Sequence, residues 1–243
     1  MHVARTVDLN SDVGEGFGAW PGGPDAELMS IITSANIVCG FHAGDPSIMR
    51  RTCEMAVAKN VAIGAHVSYL DIAGFGRRFI DVQPDELADA VIYQIGALAG
   101  CARAAGGSVS YVKPHGALYN TIVHHEKQAA AVATAVLTYD AALPILVLPG
   151  SVIERVAIEH GLSARGEGFA DRGYAADGTL IPRSQPGALL TDEDAATNQA
   201  LDLADRGIAS ICLHSDTPGA AALGAAVAVG LLQAGFELRA FTR

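Results

Sequence analysis

The chain has 243 residues, half of them hydrophobic and 17% charged, with a formal net charge of −10 and a pI near 5.1. That composition excludes a disordered chain. The acidic balance excludes nonspecific binding to nucleic acid or an acidic membrane surface, both of which need a basic face. The length suits one large core, as α/β barrels use it, and no Ser/Gly linker or composition shift interrupts it, so a single domain over 1–243 is expected.

In chain order, a first strand at Val7–Leu9 runs into "DLNSDVGEG", which carries Asn10, Asp12 and Glu15. A helix over Asp25–Thr33 follows. The second strand, Asn36–Cys39 in "ANIVCGFHAGD", breaks at Gly40, and His42 and Asp45 stand on the turn after it. Asp45 before Pro46 suits the N-cap of a helix reaching Lys59. A third strand at Val61–Gly64 leads to His66. Residues 67–83, "VSYLDIAGFGRRFIDVQ", are too long for a simple turn and carry Arg77 and Arg78.

The stretch from Pro84 to Ala105 is the clearest helix. Pro84 suits the first helical position, Asp85 and Glu86 complement the helix dipole, and Gly106-Gly107 ends it. Its Leu87, Val91, Ile95 and Leu98 share one face. A strand at Ser110–Val112 opens into "VKPHGALYN", with Lys113, His115 and Asn120. A helix at 125–139, a strand at Ile145–Leu148, a helix at 151–161 and a weaker strand at Ser163–Arg165 come next. A second long connection, 166–188, carries Arg172, Tyr174 and Arg183. A helix at 192–206, a strand at Ser210–Leu213 followed by His214 and Asp216, and a helix at 218–234 complete the set.

Repeated strand–helix units mean a parallel sheet, open or closed into a barrel, and ligands gather where its strands end. Four of the eight histidines, His42, His66, His115 and His214, fall at such ends. A lone polar residue there is usually a cap or turn former, which leaves Asp45 and Asp216 ambiguous. Imidazole is a poor cap, so the four histidines are expected to converge on one ligand. His2, His124, His125 and His160 are expected at the surface. Arginines on long loops suit a bidentate grip on a carboxylate or phosphate.

Other signals narrow the field. Cys39, Cys53, Cys101 and Cys212 form no CxxC pair and are expected as reduced thiols in a cytoplasmic protein. No signal-peptide h-region is visible, and the longest apolar run, Ala220–Leu232, falls short of the ~20 residues of a membrane span. "GEGFGAWPGG" is not GxGxxG, and neither GxxxxGK[ST], HExxH nor GxSxG occurs. Asp/His-rich strand ends are compatible with a divalent cation, though their spacing specifies none.

Eight blocks in order carry a resemblance: "DLNSDVGEGFG", "TSANIVCGFHAGDPSIMRRT", "IGAHVSYLDIAGFGRR", "YQIGALAG", "VKPHGALYN", "FADRGY", "LIPRSQPGA" and "ICLHSDTPGA". Together, over about residues 7 to 234, they resemble the LamB/YcsF family, the A subunit of bacterial 5-oxoprolinase. Val67 and Ser215 depart from the proline and glycine the pattern leads one to expect. The resemblance implies an irregular β/α barrel akin to polysaccharide deacetylases. It also implies ATP-dependent opening of the 5-oxoproline lactam to L-glutamate, performed with subunits B and C.

On that reading Asp12, His42 and His66 orient and deprotonate water, and the same three are candidate ligands for a divalent metal. Lys113 and His115 stabilise negative charge on the oxyanion or phosphate. Arg77, Arg78 or Arg172 holds the substrate carboxylate, with Asn10, Glu15, Asn120, Tyr174, His214 and Asp216 completing the substrate-binding set. ATP is the co-substrate, its site open between this barrel and a partner protein. The picture is also compatible with a homo-oligomer. Two other readings stay open: a stand-alone metal-dependent deacetylase, and a non-enzymatic lactam-binding subunit.

Overall fold

Side chains alternate between the two faces of a strand, and here the two faces differ sharply in chemistry. A computed structural model describes residues 5–242, so His2 lies outside the described residues. Its strands are β1 (Arg5–Val13), β2 (Ser34–Val38), β3 (Ala62–Val67), β4 (Val109–Pro114), β5 (Ile145–Val147), β6 (Ala164–Phe169), β7 (Ser210–Leu213) and β8 (Phe236–Leu238). β1 to β7 pair in sequence order, all parallel, and β7 returns to β1 to close a seven-stranded barrel. The short β8 pairs with the start of β1, at Arg5–Val7.

The outward positions are apolar. Leu9, Ile37, Ala65, Val67, Val112, Val147, Ile211 and Leu213 pack with the helices into the main core. Those helices are α1 (Asp25–Leu28), α2 (Pro46–Ala58), α3 (Pro84–Ala104), α4 (Gly116–Ile122), α5 (Glu126–Asp140), α6 (Val152–Glu159), α7 (Glu193–Asp205) and α8 (Ala220–Gln233). α3 obeys its sequence signals: Pro84 opens it and Leu87, Val91, Ile95 and Leu98 are buried. Asp45 caps α2, accepting from the Ser47 and Ile48 N–H groups, which resolves its role as structural.

The inward positions are polar. Barrel interiors are usually filled by branched apolar side chains; here Asp8, Asn10, Asp12, Asn36, Lys113, Glu167 and Ser210 bond to one another across the lumen. Asp8 accepts hydrogen bonds from the Thr33, Ser34 and Ser210 hydroxyls, yet burial still pushes its carboxyl up to about 6. The N-terminal mouth is closed by Ala62, Tyr111 and Leu146 against Ala240 and Phe241. Gly64 makes room for this plug, since a Cβ there would stand 2.1 Å from the Tyr111 ring.

Several expected boundaries shift. β1 runs to Val13, β3 to Val67 and β6 to Phe169, so Asn10, Asp12, His66 and Glu167 lie on strands rather than in the loops after them. The second long connection therefore begins at 170, not 166. The first helix stops at Leu28: the Ser30 and Ile31 N–H groups bond three residues back, and the Thr33 N–H goes to the Leu9 carbonyl of β1. α4 and β8 carry no sequence signal of their own that separates them from loops.

Candidate active site

The C-terminal ends of the strands open into a cavity of about 520 Å³. Asp12 of β1, His66 of β3, Lys113 of β4, His115 at the start of α4, and His214 after β7 form its floor. Arg77, Arg172 and Arg183 line it from the two long loops, with Asn120 and His124 on the α4 side.

Beneath one side of this floor, Glu15, His42, His66 and His115 bring one ligand atom each to within 4.8 Å of one another. Backbone carbonyls fix two of these rings. His66 Nδ1 donates to Lys113 O at 3.1 Å, and His115 Nε2 donates to Phe75 O at 2.9 Å. The remaining nitrogens, His66 Nε2 and His115 Nδ1, then present lone pairs to each other at 2.9 Å. Two lone pairs at that distance repel unless a proton or a metal cation stands between them. Glu15 Oε1 lies 3.4 Å from His42 Nε2 and 3.6 Å from His115 Nδ1. Glu15 Oε1 and both nitrogens of His42 are buried without a hydrogen-bond partner, the condition a cation would relieve.

Electrostatics agree with the geometry. Burial pushes the Glu15 carboxyl up to about 7, and the nearby charge of Asp12 adds to it. Burial likewise holds His42 and His115 well below the usual histidine range, reinforced by their imidazole neighbours. Burial works against ionised Asp12 too, but the neighbouring His66 and Lys113 outweigh it, and its carboxyl stays well below the usual range.

The loop above the imidazoles is tightly laid. Gly76, at φ +65°, passes so close that a Cβ would meet Ser68 Oγ at 2.5 Å and the His115 ring at 2.7 Å. Phe75 adopts a left-handed conformation at φ 54°, which aims its carbonyl at His115 and sets its ring edge-on to His42. His42 and His115 stack at 3.7 Å between centroids.

Across the cavity, His214 Nδ1 meets the Asp171 carboxylate at 3.0 and 3.1 Å, and its ring stacks on Phe169. This turns His214 Nε2 toward Asp12, 3.9 Å away. Burial disfavours the Asp171 charge, yet His214 and the Thr217 hydroxyl hold its carboxyl below the ordinary range. At the rim, Arg77 and Arg183 both engage Asp216, at 2.6 and 3.3 Å.

Known proteins are similar to this chain in barrel and in sequence. The profile of the LamB/YcsF family matches residues 7–243. The chain belongs to the LamB/YcsF family. A Kocuria rhizophila protein named as the A subunit of 5-oxoprolinase is 55% identical over 97% of this chain and 98% of its own length. A lactam utilization protein from Thermus thermophilus superposes at TM-score 0.92 with 40% identity, covering 97% of this chain and 99% of that one. A polysaccharide deacetylase from Bacillus cereus shares the barrel at TM-score 0.50 and 15% identity, over 97% and 91% of the two chains, a likeness of fold alone.

Of the residues that the LamB/YcsF resemblance nominates, Asp12, His66, Lys113, His115, Arg77, Arg172, Asn120 and His214 line the cavity. Others require correction. His42 does not reach the cavity: its side chain is fully buried behind His115. Glu15, expected at the substrate, belongs to the imidazole cluster. His42 and His66, expected to stand with Asp12 as candidate ligands, group with Glu15 and His115, and Asp12 falls in a second group with Cys212 and His214. Asn10 is sealed beneath Lys113 and bonded to Glu167 and Ser210. Arg78 turns outward onto Asp71, where it braces the loop. Tyr174 accepts the Phe169 N–H through its hydroxyl, and Arg172 spends two donors on the Ala188 and Ile181 carbonyls.

Two of the expected surface histidines, His124 exposed as expected and His125 partly buried, also have identifiable places. His124 lines the cavity, and His125 caps α5 by accepting the Gln128 N–H, so imidazole does serve as a cap here. Sequence reading missed Glu167, Asp171 and Cys212. The alternation in "EGF" of β6 could have found the first. All four cysteines are free, as expected of reduced thiols. No helix among the described residues is long and apolar enough to cross a membrane.

Proposed function

We propose that this chain is the A subunit of an ATP-dependent 5-oxoprolinase, opening the 5-oxoproline lactam to L-glutamate with companion subunits B and C. ADP and phosphate are the co-products. One observation carries this reading: a floor of carboxylate and imidazoles, two of them with opposed lone pairs, beside a rim of three arginines. A small cyclic amide bearing one carboxylate needs both halves.

Arg77 and Arg183 suit the substrate carboxylate, which would replace Asp216 between them. That fixes the lactam over Asp12, His66 and His115. Asp12, ionised, accepts the proton of an attacking water. His214, oriented by Asp171, hands a proton to the departing nitrogen.

The donor set of Glu15, His42, His66 and His115 fits a divalent cation, with one hard oxygen and three borderline nitrogens. Such a cation would supply electrophilic polarisation of a carbonyl or phosphoryl oxygen.

ATP phosphorylates the amide oxygen and leaves as ADP, either in this cavity or on a companion protein. Attack by water with loss of the ring nitrogen then gives an acyl phosphate, and a second water releases the phosphate to leave glutamate. Calorimetric titration of the isolated chain with ATP and Mg²⁺ separates those two placements. The deciding assay is glutamate release from 5-oxoproline, with and without ATP and the companion subunits. Release is expected only with all components together. Lactam opening by the isolated chain without ATP would overturn this reading in favour of a deacetylase-like amide hydrolase.

A further inference from the structure

A second group of ligand-bearing side chains lies beside the imidazole cluster and is not used by it. Asp12, Cys212 and His214 place a carboxylate oxygen, a sulfur and a ring nitrogen within 4.8 Å of one another. Asp12 stands between the two groups, with Oδ1 3.3 Å from His66 Nε2 and Oδ2 3.9 Å from His214 Nε2. Hydrolases with two metals place them about 3.5–4 Å apart, and a carboxylate between two such groups has the geometry of a bridge.

The middle of the second group is filled. Lys113 Nζ lies 2.8 Å from Glu167 Oε1, 3.0 Å from Cys212 Sγ, 3.1 Å from Asp12 Oδ1 and 3.2 Å from Asn10 Oδ1. An ammonium has three protons to give, and four acceptors surround it, so no donor remains for a substrate oxygen. The Phe169 ring lies 5.4 Å away and adds a further surface favourable to a cation. These separations are hydrogen-bond lengths, longer than the ~2.0–2.3 Å of metal bonds to oxygen, nitrogen and sulfur. The shell would close on a smaller cation once the ammonium was gone.

We propose that the Lys113 ammonium occupies a second cation position built from Asp12, Glu167 and Cys212, with His214 at its edge, and so excludes a metal from it. Lys113 is then a positioning residue. It neutralises Asp12 and Glu167, holds Asp12 toward His66, and keeps the soft sulfur of Cys212 from recruiting a thiophilic metal. The expectation that Lys113 touches an oxyanion or phosphate gives way to this internal role. The proposal deepens the one-cation reading of the imidazole cluster, and its test separates the two.

The experiment titrates the full chain with Co²⁺ alone, comparing wild type, Cys212→Ser, Lys113→Ala and the Lys113→Ala/Cys212→Ser double variant. Bound metal is counted by elemental analysis, and coordination is read from the thiolate-to-cobalt charge-transfer band. Lys113→Ala is expected to bind one equivalent more than wild type and to gain that band, with both gains lost in the double variant. Equal stoichiometry in wild type and Lys113→Ala would overturn the proposal. Should Lys113→Ala fail to fold, the wild type carries the test. Absence of a Cys212-dependent band supports an ammonium already in place, and its presence overturns it. A wild type that binds no cobalt refutes the one-cation reading of the imidazole cluster while leaving the difference between variants intact.

Discussion

Replacing Asp171 by asparagine tests whether His214 gives the proton to the departing nitrogen. Asp171 is fully buried, and its oxygens take His214 Nδ1 at 3.0 and 3.1 Å, the His214 backbone N–H at 3.1 Å and the Thr217 hydroxyl at 2.5 Å. With charge centres about 4 Å apart and an effective dielectric of about 20, the carboxylate stabilises a protonated His214 by about 4 kcal/mol. Asparagine has the same shape and keeps an oxygen for Thr217, but it removes the charge. Turned toward Nδ1, its amide N–H also forces the neutral ring to carry its proton on Nε2. A transition-state loss of about 4 kcal/mol corresponds to about three decades in rate. The amide dipole retains part of the interaction, so kcat is expected to fall by about two to three decades with KM little changed. The assay is glutamate release by the reconstituted complex, with a thermal melt to verify folding. Turnover of a folded Asp171→Asn variant within about threefold of wild type would remove His214 from the proton-donor role.

Gly64→Ala puts a Cβ 2.1 Å from the buried Tyr111 ring, and overpacking of this kind costs about 1–3 kcal/mol. A denaturant midpoint equal to wild type would show that the plug at the barrel's closed end yields more easily than its geometry suggests. Asp8 stands at about 6 when folded against 3.8 as a free side chain, so the native state holds the extra proton between those values. Stability from this group is therefore complete below about pH 4 and is lost as pH rises through about 6, a swing of about 3 kcal/mol. Urea unfolding between about pH 4 and 7 is expected to show that slope, and Asp8→Asn to flatten it. Glu15→Gln removes the one carboxylate from the imidazole cluster. At a divalent cation concentration of about 100 times Kd, wild type gains about 2.7 kcal/mol, a rise in melting temperature that chelation should abolish and Glu15→Gln should diminish. A melt indifferent to added cation or chelator in wild type would count against a cation there.

The longer helices are legible because they face water on one side. α3 shows this best: Pro84, the acidic first turn, the Leu87–Val91–Ile95–Leu98 stripe and Gly106-Gly107 all bracket the observed Pro84–Ala104. The barrel followed from the alternation of such helices with short apolar runs, and the grouping of His66, His115 and His214 followed from their places at strand ends. Glu15 and Asp171 were harder to assign, because their partners come from other strands. Nothing local to "DVGEG" says that Glu15 turns under His42, 27 residues later, rather than toward substrate.

β1, β3 and β6 extend past their expected ends for a single physical reason. Apolar runs mark strands whose two faces are both apolar, and this barrel's inner face is buried but polar. In β1 the outward Val7, Leu9 and Val13 alternate with the inward Asp8, Asn10 and Asp12, so a search for apolar residues stops at Leu9. In β3 the outward Ala65 and Val67 flank the inward His66. In β6 the inward Glu167 sits between two glycines, and the strand resembles a loop. A buried lumen of this kind is tolerable only when its groups are paired. Lys113, reaching Asn10, Asp12, Glu167 and Cys212 from β4, is the group that pairs most of them. The same lysine that made the "VKPH" block look catalytic is what allows the strands below it to carry carboxylates. Removing it should leave two carboxylates in a dry barrel with no countercharge, and the chain would then need a metal, or protons, to keep that lumen closed.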